Sequence, residues 1–190
     1  RQMCIRDSSG TGPLTLSGNF SSTGTGAKSL ILGGANSGLN AITGVINDNS
    51  VTNLTSITKI GVGAWQLAGA NTFTGATTIT SGTLSVQDTF SAGSRNVLPN
   101  AGAVIFNSHA FTNSAGGTFE YLGAGANASA ETVGALTPTA GAGIVRVTAG
   151  SGGSAALTFA SLGTVSAGSG INFVTNTGAS VVLTTATNTN

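Results

Sequence analysis

The segment from Lys59 to Val86 consists of short alternating runs of Thr, Ile, Leu and Val, broken every few residues by Gly or by Asn-Thr. Such runs predict brief β-strands joined by tight turns, and they leave no room for a helix between them. Weaker versions of the same pattern occur at 13–20, 29–38 and 116–127. A strand-and-turn pattern that recurs along a chain predicts a stacked, solenoid-like array.

Short strands are predicted along the whole chain, because alternating apolar runs recur with Gly, Asn or Ser-Gly at nearly every join. No window carries apolar residues at helical spacing between capping residues, so little or no helix is predicted. The predicted strands are Leu14–Leu16, Leu30–Leu32, Ile42–Ile46, Leu54–Ile60, Trp65–Leu67, Thr77–Ile79, Thr83–Val86, Val104–Asn107, Thr118–Leu122, Thr132–Leu136, Ile144–Thr148, Leu157–Phe159, Ile171–Val174 and Val181–Thr184.

Many short strands can form a sandwich or barrel, or they can form a parallel β-solenoid. Internal similarity favours the solenoid, because GTL at 82–84 and GTF at 117–119 have the same separation as Leu32 and Leu67. We therefore predict an all-β parallel β-helix, a solenoid of roughly eight coils stacked about 4.8 Å apart. The side chains predicted to face inward are Leu32, Ile46, Leu67, Ile79, Leu84, Val86, Phe106, Phe119, Val145 and Phe173.

The composition excludes several classes of protein. Charged residues make up 6% of the chain, whereas a typical soluble domain has about 25%, so a helical bundle with charged outer faces is excluded. The Lys and Arg residues are scattered, and the basic patch that nucleic-acid binding requires is missing. Gly, Thr or Ser interrupts every apolar run well before the roughly 18 residues of a membrane-spanning helix. This composition is typical of a β-rich extracellular protein.

Residues 1–8, RQMCIRDS, differ in composition from the rest of the chain. They contain the only Cys, the only Met and two of the six basic residues, and they look like translated adapter sequence. We therefore predict that residues 1–8 are a non-native leader and that residues 9–190 form a single β-helical unit. Because no Met stands at position 1, we expect the chain to be a fragment of a longer protein. The lone Cys4 cannot form an internal disulfide.

Residues 59–86 resemble the passenger-associated strand repeat of bacterial autotransporters and autotransporter-like surface proteins. That motif reads approximately K-x-G-x-G-x-W/L-x-L-x-G-x-N-x-Y/F-x-G-x-T-x-I-x-x-G-x-L. The chain departs from its common form at Ala64 and Ala76, and neither change disturbs the pattern. The residues that match the motif are Lys59, Gly61, Gly63, Trp65, Leu67, Gly69, Asn71, Phe73, Gly75, Thr77, Ile79, Gly82 and Leu84.

The resemblance implies a right-handed parallel β-helix, with residues 9–190 forming a passenger fragment. It also implies a location outside the cell or on the bacterial surface, with anchoring to the outer membrane through regions beyond this sequence. The implied function is that of a structural segment, a stalk or adhesin scaffold, rather than an enzyme. The implied partners are cell-surface or matrix components or carbohydrate, and no cofactor is expected.

Within the repeat, we predict three kinds of structural role. Asn71 is predicted to bond the backbone of its own turn, as in an Asx-turn. Corners of the coil, with positive φ, are predicted at Gly69, Gly75 and Gly82. Side chains large enough to fill a narrow interior are those of Trp65, Leu67, Phe73 and Ile79.

Few residues could support catalysis or metal binding. His109 is the only histidine, and without clustered Cys or acids it cannot build a metal site, so we interpret it as a loop residue. It could alternatively serve as a base for Ser108 or Ser114. Asp88 and Glu120, one coil apart, could form a glycosidase pair in a groove. The favoured interpretation is that all the acids are isolated, solvated carboxylates, namely Asp7, Asp48, Asp88, Glu120 and Glu131. No catalytic, cofactor-binding or metal site is therefore predicted.

Two other functions remain open at this point. A flat face bearing Thr-x-Thr pairs could bind ice, and Trp65 or Tyr121 could provide a platform for carbohydrate. The pairs occur at 72/74, 78/80, 137/139 and 187/189, although not at a constant interval. A polysaccharide lyase is less favoured, because such enzymes cluster Asp, Lys and Arg along one groove and this chain has few of them.

Overall fold

The computed structural model describes residues 2–6, 12–21, 23–88, 97–108 and 116–185. These residues form a parallel β-solenoid of about six turns, and no helix occurs among them. The chain alternates between an eight-stranded first sheet and a seven-stranded second sheet.

The odd-numbered strands form the first sheet: β1 (Gln2–Arg6), β3 (Lys28–Gly33), β5 (Thr55–Lys59), β7 (Thr77–Ile79), β9 (Val104–Asn107), β11 (Ala128–Ala140), β13 (Ser154–Leu162) and β15 (Ala179–Leu183). The even-numbered strands form the second sheet: β2 (Thr15–Leu16), β4 (Leu39–Ile42), β6 (Ala64–Leu67), β8 (Thr83–Gln87), β10 (Thr118–Leu122), β12 (Ala142–Thr148) and β14 (Gly170–Thr175). All the pairings between neighbouring described strands are parallel, so the predicted solenoid is confirmed and the sandwich alternative is wrong.

The register supports one of the two internal similarities seen in the sequence and contradicts the other, because Leu32 lies on β3 of the first sheet and Leu67 lies on β6 of the second. Leu84 lies beside Phe119, so GTL and GTF occupy equivalent positions on successive strands of the second sheet. The predicted number of roughly eight coils is not confirmed. The right-handed winding stays a prediction.

The earlier turns contain a third side, formed by the connections that lead from the second sheet back to the first. There, Phe20 and Ile46 form a parallel bridge, and the Thr72 amide donates to the Ile46 carbonyl at 2.9 Å. The predicted strand Ile42–Ile46 therefore spans the end of β4, a corner and this bridge. We call the segments around Phe20, Ile46, Phe73 and Val97 the third side.

The later turns lack the third side and return through tight turns. The Asn127 amide donates to the Ala124 carbonyl at 3.0 Å, and the Gly153 amide donates to the Gly150 carbonyl at 3.0 Å. The second of these turns lies in the Gly-rich segment that precedes β13. The solenoid is thus three-sided in its first part and two-sided in its second, where β11 and β13 are the longest strands of the first sheet.

The core is a continuous column of apolar side chains between the sheets. All the side chains predicted to face inward are buried except Phe173, which is 43% exposed. Phe173 is exposed because β14 is the edge strand of the second sheet. Phe173 continues the inward column beside Val145, but no further described strand covers it.

The predicted division into residues 1–8 and residues 9–190 stays a prediction. Gln2–Arg6 form β1, which pairs with β3 over its whole length. This pairing shows that the segment can extend the first sheet, but it does not bear on the origin of the segment.

Replacing Leu67 by Ala is expected to lower the free energy of unfolding by about 2–5 kcal/mol. Leu67 is fully buried, and it lies between Ile42 and Val86 in the second sheet. Urea unfolding followed by circular dichroism provides the measurement. Val62→Ala is the control from the same repeat, because Val62 is 67% exposed. Equal midpoints for the two variants would contradict burial of Leu67 in the core.

Candidate functional site

The repeat predicted at 59–86 runs from the end of β5 to β8 and so covers more than one full turn. Every residue that matches the motif is buried except Gly61 and Gly82, which lie half-buried in turns. The motif therefore describes the inside of the solenoid and its corners, and its residues are largely closed to solvent.

Lys59 is fully buried, which is unusual for a lysine. Its Nζ donates to the carbonyl oxygens of Ile60 at 2.7 Å, Gly61 at 2.8 Å and Ser81 at 3.3 Å. Ser81 belongs to the next turn, so the ammonium group joins the corners of two successive turns. A buried charge is tolerated when its donors are satisfied in this way.

Trp65 fills the interior beside Leu84, and its indole Nε1 donates to the Gly33 carbonyl at 3.0 Å. Tyr121 is also fully buried. Neither aromatic side chain is available to stack against a sugar ring. Because both side chains are buried, neither Trp65 nor Tyr121 can form the predicted platform for carbohydrate.

The three glycines predicted to have positive φ differ from one another. Gly82 has φ of +68°, which confirms the prediction at that position, but Gly69 and Gly75 lie outside the left-handed region. They are constrained by space instead. A methyl group on Gly69 would collide with the Gly44 carbonyl oxygen, and one on Gly75 would collide with the Thr55 carbonyl oxygen. Close stacking of successive turns, rather than a turn conformation, accounts for these two glycines.

The predicted Asx-turn at Asn71 is wrong. Its Oδ1 accepts a hydrogen bond from the Ile46 amide at 2.9 Å, and its Nδ2 donates to the Val97 carbonyl at 2.8 Å. Asn71 points into the third side, where the backbones of the preceding and following turns are nearer than its own turn. The side chain therefore ties three successive turns together.

Two of the acids predicted to be solvated are buried. Asp88 is 1% exposed and Glu131 is fully buried. The Glu131 carboxylate accepts hydrogen bonds from the Val97 and Leu98 amides, each at 2.8 Å. Inward and outward residues alternate along β11, and Glu131 stands two residues before the buried Val133. This alternation in the sequence is a signal that Glu131 faces inward. The predicted strand began at Thr132 and missed this signal.

The pKa values of Glu131 and Tyr121 are both shifted, and the charge of Asp88 contributes to each shift. Burial raises the pKa of Glu131 to about 7, although the two backbone amides oppose the shift, and the charge of Asp88 adds to it. Burial also raises the pKa of Tyr121, and the negative charges of Asp88 and Glu131 act in the same direction.

The predicted glycosidase pair does not form, because Asp88 and Glu120 lie on opposite sides of the second sheet. Asp88 follows the buried Val86 by two residues and faces inward with Tyr121. Glu120 belongs to the outward row, where its Oε2 accepts from the Ser85 hydroxyl at 2.6 Å. Its Oε1 lies 3.6 Å from Nη1 of Arg146.

The remaining candidate residues have structural partners or lie outside the described residues. Asp48 is half-buried and accepts from the Thr55 amide at 2.6 Å and the Thr74 hydroxyl at 2.7 Å, so it is not isolated. The Ser108 hydroxyl accepts from the Gly117 amide at 3.1 Å. The predictions that lie outside the described residues concern Asp7, His109, Ser114 and the pair at 187/189.

The Thr-x-Thr pairs do not form one regular ladder. Thr72 and Thr74 lie in a corner, where Thr72 donates to the Asn47 side chain at 2.7 Å. On the first sheet, the row that contains Thr78 and Thr137 is interrupted by Ile105.

Neither a metal cluster nor a membrane-spanning helix is found within the described ranges. No group of three or more His, Cys, Asp or Glu residues there could hold a metal ion. No helix that is long and apolar enough to cross a membrane occurs there either.

Replacing Gly69 by Ala is expected to lower the free energy of unfolding by about 1–3 kcal/mol, because the new methyl group would force two turns apart. Gly18→Ala is the matched control. Gly18 has open space around it and no positive φ, so its variant should be as stable as the parent or slightly more stable. Thermal or urea unfolding distinguishes the two, and equal stability would contradict the close stacking at Gly69.

Comparison with known proteins gives one match. Residues 57–86 match the family model described as Passenger-associated-transport-repeat, which confirms the resemblance seen in the sequence. No curated protein and no solved structure matches the chain. The repeat family implies a secreted or surface-exposed protein. Residues 57–86 therefore match an autotransporter passenger repeat, and they lie within a parallel β-solenoid.

Proposed function

We propose that this chain is a structural segment of an autotransporter-like passenger, serving as a stalk or adhesin scaffold at the bacterial surface. The observation that carries the proposal is the internal use of the repeat. The polar groups of Lys59, Trp65 and Asn71 all bond the backbone of neighbouring turns. A repeat whose chemistry is directed inward supports a role in building the rod rather than in acting on a substrate.

The outer surface of the first sheet supports the same role. One outward row contains Ile31, Thr58, Thr78, Ile105 and Thr137, one residue from each of five successive strands. Hydroxyl and small aliphatic side chains of this kind present a flat surface to solvent without a catalytic group. We propose cell-surface or matrix components, or carbohydrate, as partners, and a right-handed winding as in the family that the motif resembles.

An enzymatic role has less support in the described part of the chain. Asp88 and Glu120 are separated by the second sheet, and Asp88 is buried. Binding of ice by a flat threonine face also has little support, because only Thr58 and Thr78 are directly adjacent in their row. A thermal hysteresis measurement on the purified chain would detect ice binding, and we expect no signal.

Display on a Gram-negative bacterium tests the scaffold proposal. The whole chain is placed between a signal peptide and an autotransporter translocator domain, with an epitope tag at the distal end. We expect antibody to reach the tag on intact cells, and we expect added protease to leave the displayed segment uncut. Failure of the parent chain to present the tag, or rapid digestion of its surface-exposed segment, would contradict a rigid scaffold.

Matched variants separate folding of the rod from other effects on export. Leu67→Ala should reduce the protease-resistant surface material several-fold, because it weakens the repeat turn. Val62→Ala, which changes an exposed side chain of the same repeat, should match the parent. Equal resistance of both variants would mean that the repeat turn does not govern the displayed structure.

A further inference from the structure

A cavity of about 320 Å³ lies at the corner where the third side meets β3, in the first two turns of the solenoid. Most of its surface is apolar, and its apolar wall is formed by Met3, Phe20, Leu30 and Ile46. Leu30 and Ile46 are buried, whereas Met3 is 52% exposed, so solvent reaches the cavity on the side of β1. A cavity of this size and character can hold a small organic molecule.

The polar wall of the cavity contains Lys28, the first residue of β3, which is 9% exposed. The Lys28 Nζ donates to the Thr25 carbonyl at 3.0 Å and to the Gly26 carbonyl at 2.8 Å. An ammonium group has three donors, and the described part of the chain gives Lys28 no third acceptor. One donor of Lys28 is therefore left for a molecule in the cavity.

The positive charge of Lys28 has no opposite charge beside it, because no carboxylate forms an ion pair with Lys28 within the described ranges. Asp48 lies in the same corner, but it does not line the cavity, and its oxygens accept from the Thr55 and Thr74 amides. A buried charge without an opposite charge is costly, and an anion in the cavity would supply that charge. The wall therefore favours a negatively charged ligand.

Asn47 offers a second donor on the polar wall. Its Oδ1 accepts from the Thr72 hydroxyl at 2.7 Å, so its Nδ2 is the group without a partner among the described residues. Thr55 also lines the cavity, but its hydroxyl donates to the Asn47 carbonyl at 2.9 Å. A wall with available donors on Lys28 and Asn47 matches a ligand whose polar end accepts hydrogen bonds.

We propose that this cavity binds a small amphiphile with a carboxylate head and a short apolar chain, such as a medium-chain fatty acid. The carboxylate accepts hydrogen bonds from Lys28 and Asn47, and the chain packs against Phe20, Leu30 and Ile46. The charge-assisted bond to Lys28 orients the ligand, and burial of the chain supplies most of the affinity. All five residues lie outside both the repeat at 57–86 and residues 1–8, so the proposal is independent of the scaffold role and of the origin of the first eight residues.

A second cavity, of about 310 Å³, lies at the opposite end of the solenoid and provides an internal control. It is formed by side chains of β14 and β15, among them Phe173, Val181 and Leu183, and none of the described residues that line it is charged. A ligand recognised by its apolar chain alone would bind at both ends. A ligand recognised by its carboxylate as well should prefer the cavity that contains Lys28.

Titration of the whole chain with octanoate, followed by calorimetry and by NMR of the side-chain methyl groups, tests the proposal. Octanoate should shift the methyl signals of Leu30 and Ile46 and leave those of Val181 and Leu183 in place. On the same parent chain, 1-octanol and octylammonium should bind more weakly than octanoate by roughly ten-fold or more, because they lack the negative charge. Absence of octanoate binding, equal affinity for the three molecules, or equal shifts at the two cavities would overturn the proposal.

Matched variants test the role of Lys28 directly. Lys28→Met keeps a long side chain but removes the charge, and it should weaken octanoate binding by roughly ten-fold or more while changing 1-octanol binding little. Arg146→Met is the control, because it removes one positive charge from the outward face, where Arg146 pairs with Glu120, and it should bind octanoate as the parent does. Circular dichroism establishes that both variants fold, and the ligand series on the parent decides the question if Lys28→Met does not. A folded Lys28→Met variant that binds octanoate as tightly as the parent would overturn the proposal.

Discussion

The structure depends on hydrogen bonding between the backbones of successive turns, with the strands parallel and in register. Because each turn is stacked directly on the one before, an inward side chain meets its equivalents above and below rather than solvent. Leu67 between Ile42 and Val86 illustrates this for an apolar column. Whether a side chain is buried therefore depends on residues of the neighbouring turns, which lie far away from it in the sequence.

The same stacking allows buried polar side chains to join successive turns through hydrogen bonds to the backbone. The interior of a solenoid is lined at its corners by carbonyl and amide groups, and these are within reach of a long or branched polar side chain. Lys59 donates to carbonyl oxygens, and Asn71 uses one donor and one acceptor. Glu131 uses amides only. Each residue type thus matches the kind of backbone group that its corner leaves without a partner.

Much of the fold could be predicted from alternation and turn residues. β6, β7 and β8 lie where strands were predicted, and the equivalence of Leu84 and Phe119 follows from their similar local sequence. The sequence was less informative about partners across turns. Asn71 was interpreted from its neighbours in the chain, although its hydrogen bonds go to residues about one turn away on either side. Glu131 was misplaced because its strand begins four residues earlier than predicted, at Ala128.

The change from a three-sided to a two-sided cross-section has a mechanical consequence. A force applied along the rod must peel the turns from one end, because each is attached only to its neighbours. The two cross-sections contain similar lengths of chain, because the register partners Leu30 and Ile57 lie 27 residues apart and the partners Leu157 and Val181 lie 24 residues apart. The two parts differ instead in how many sides must separate when a turn detaches, so the rod has a built-in polarity in how it yields to tension.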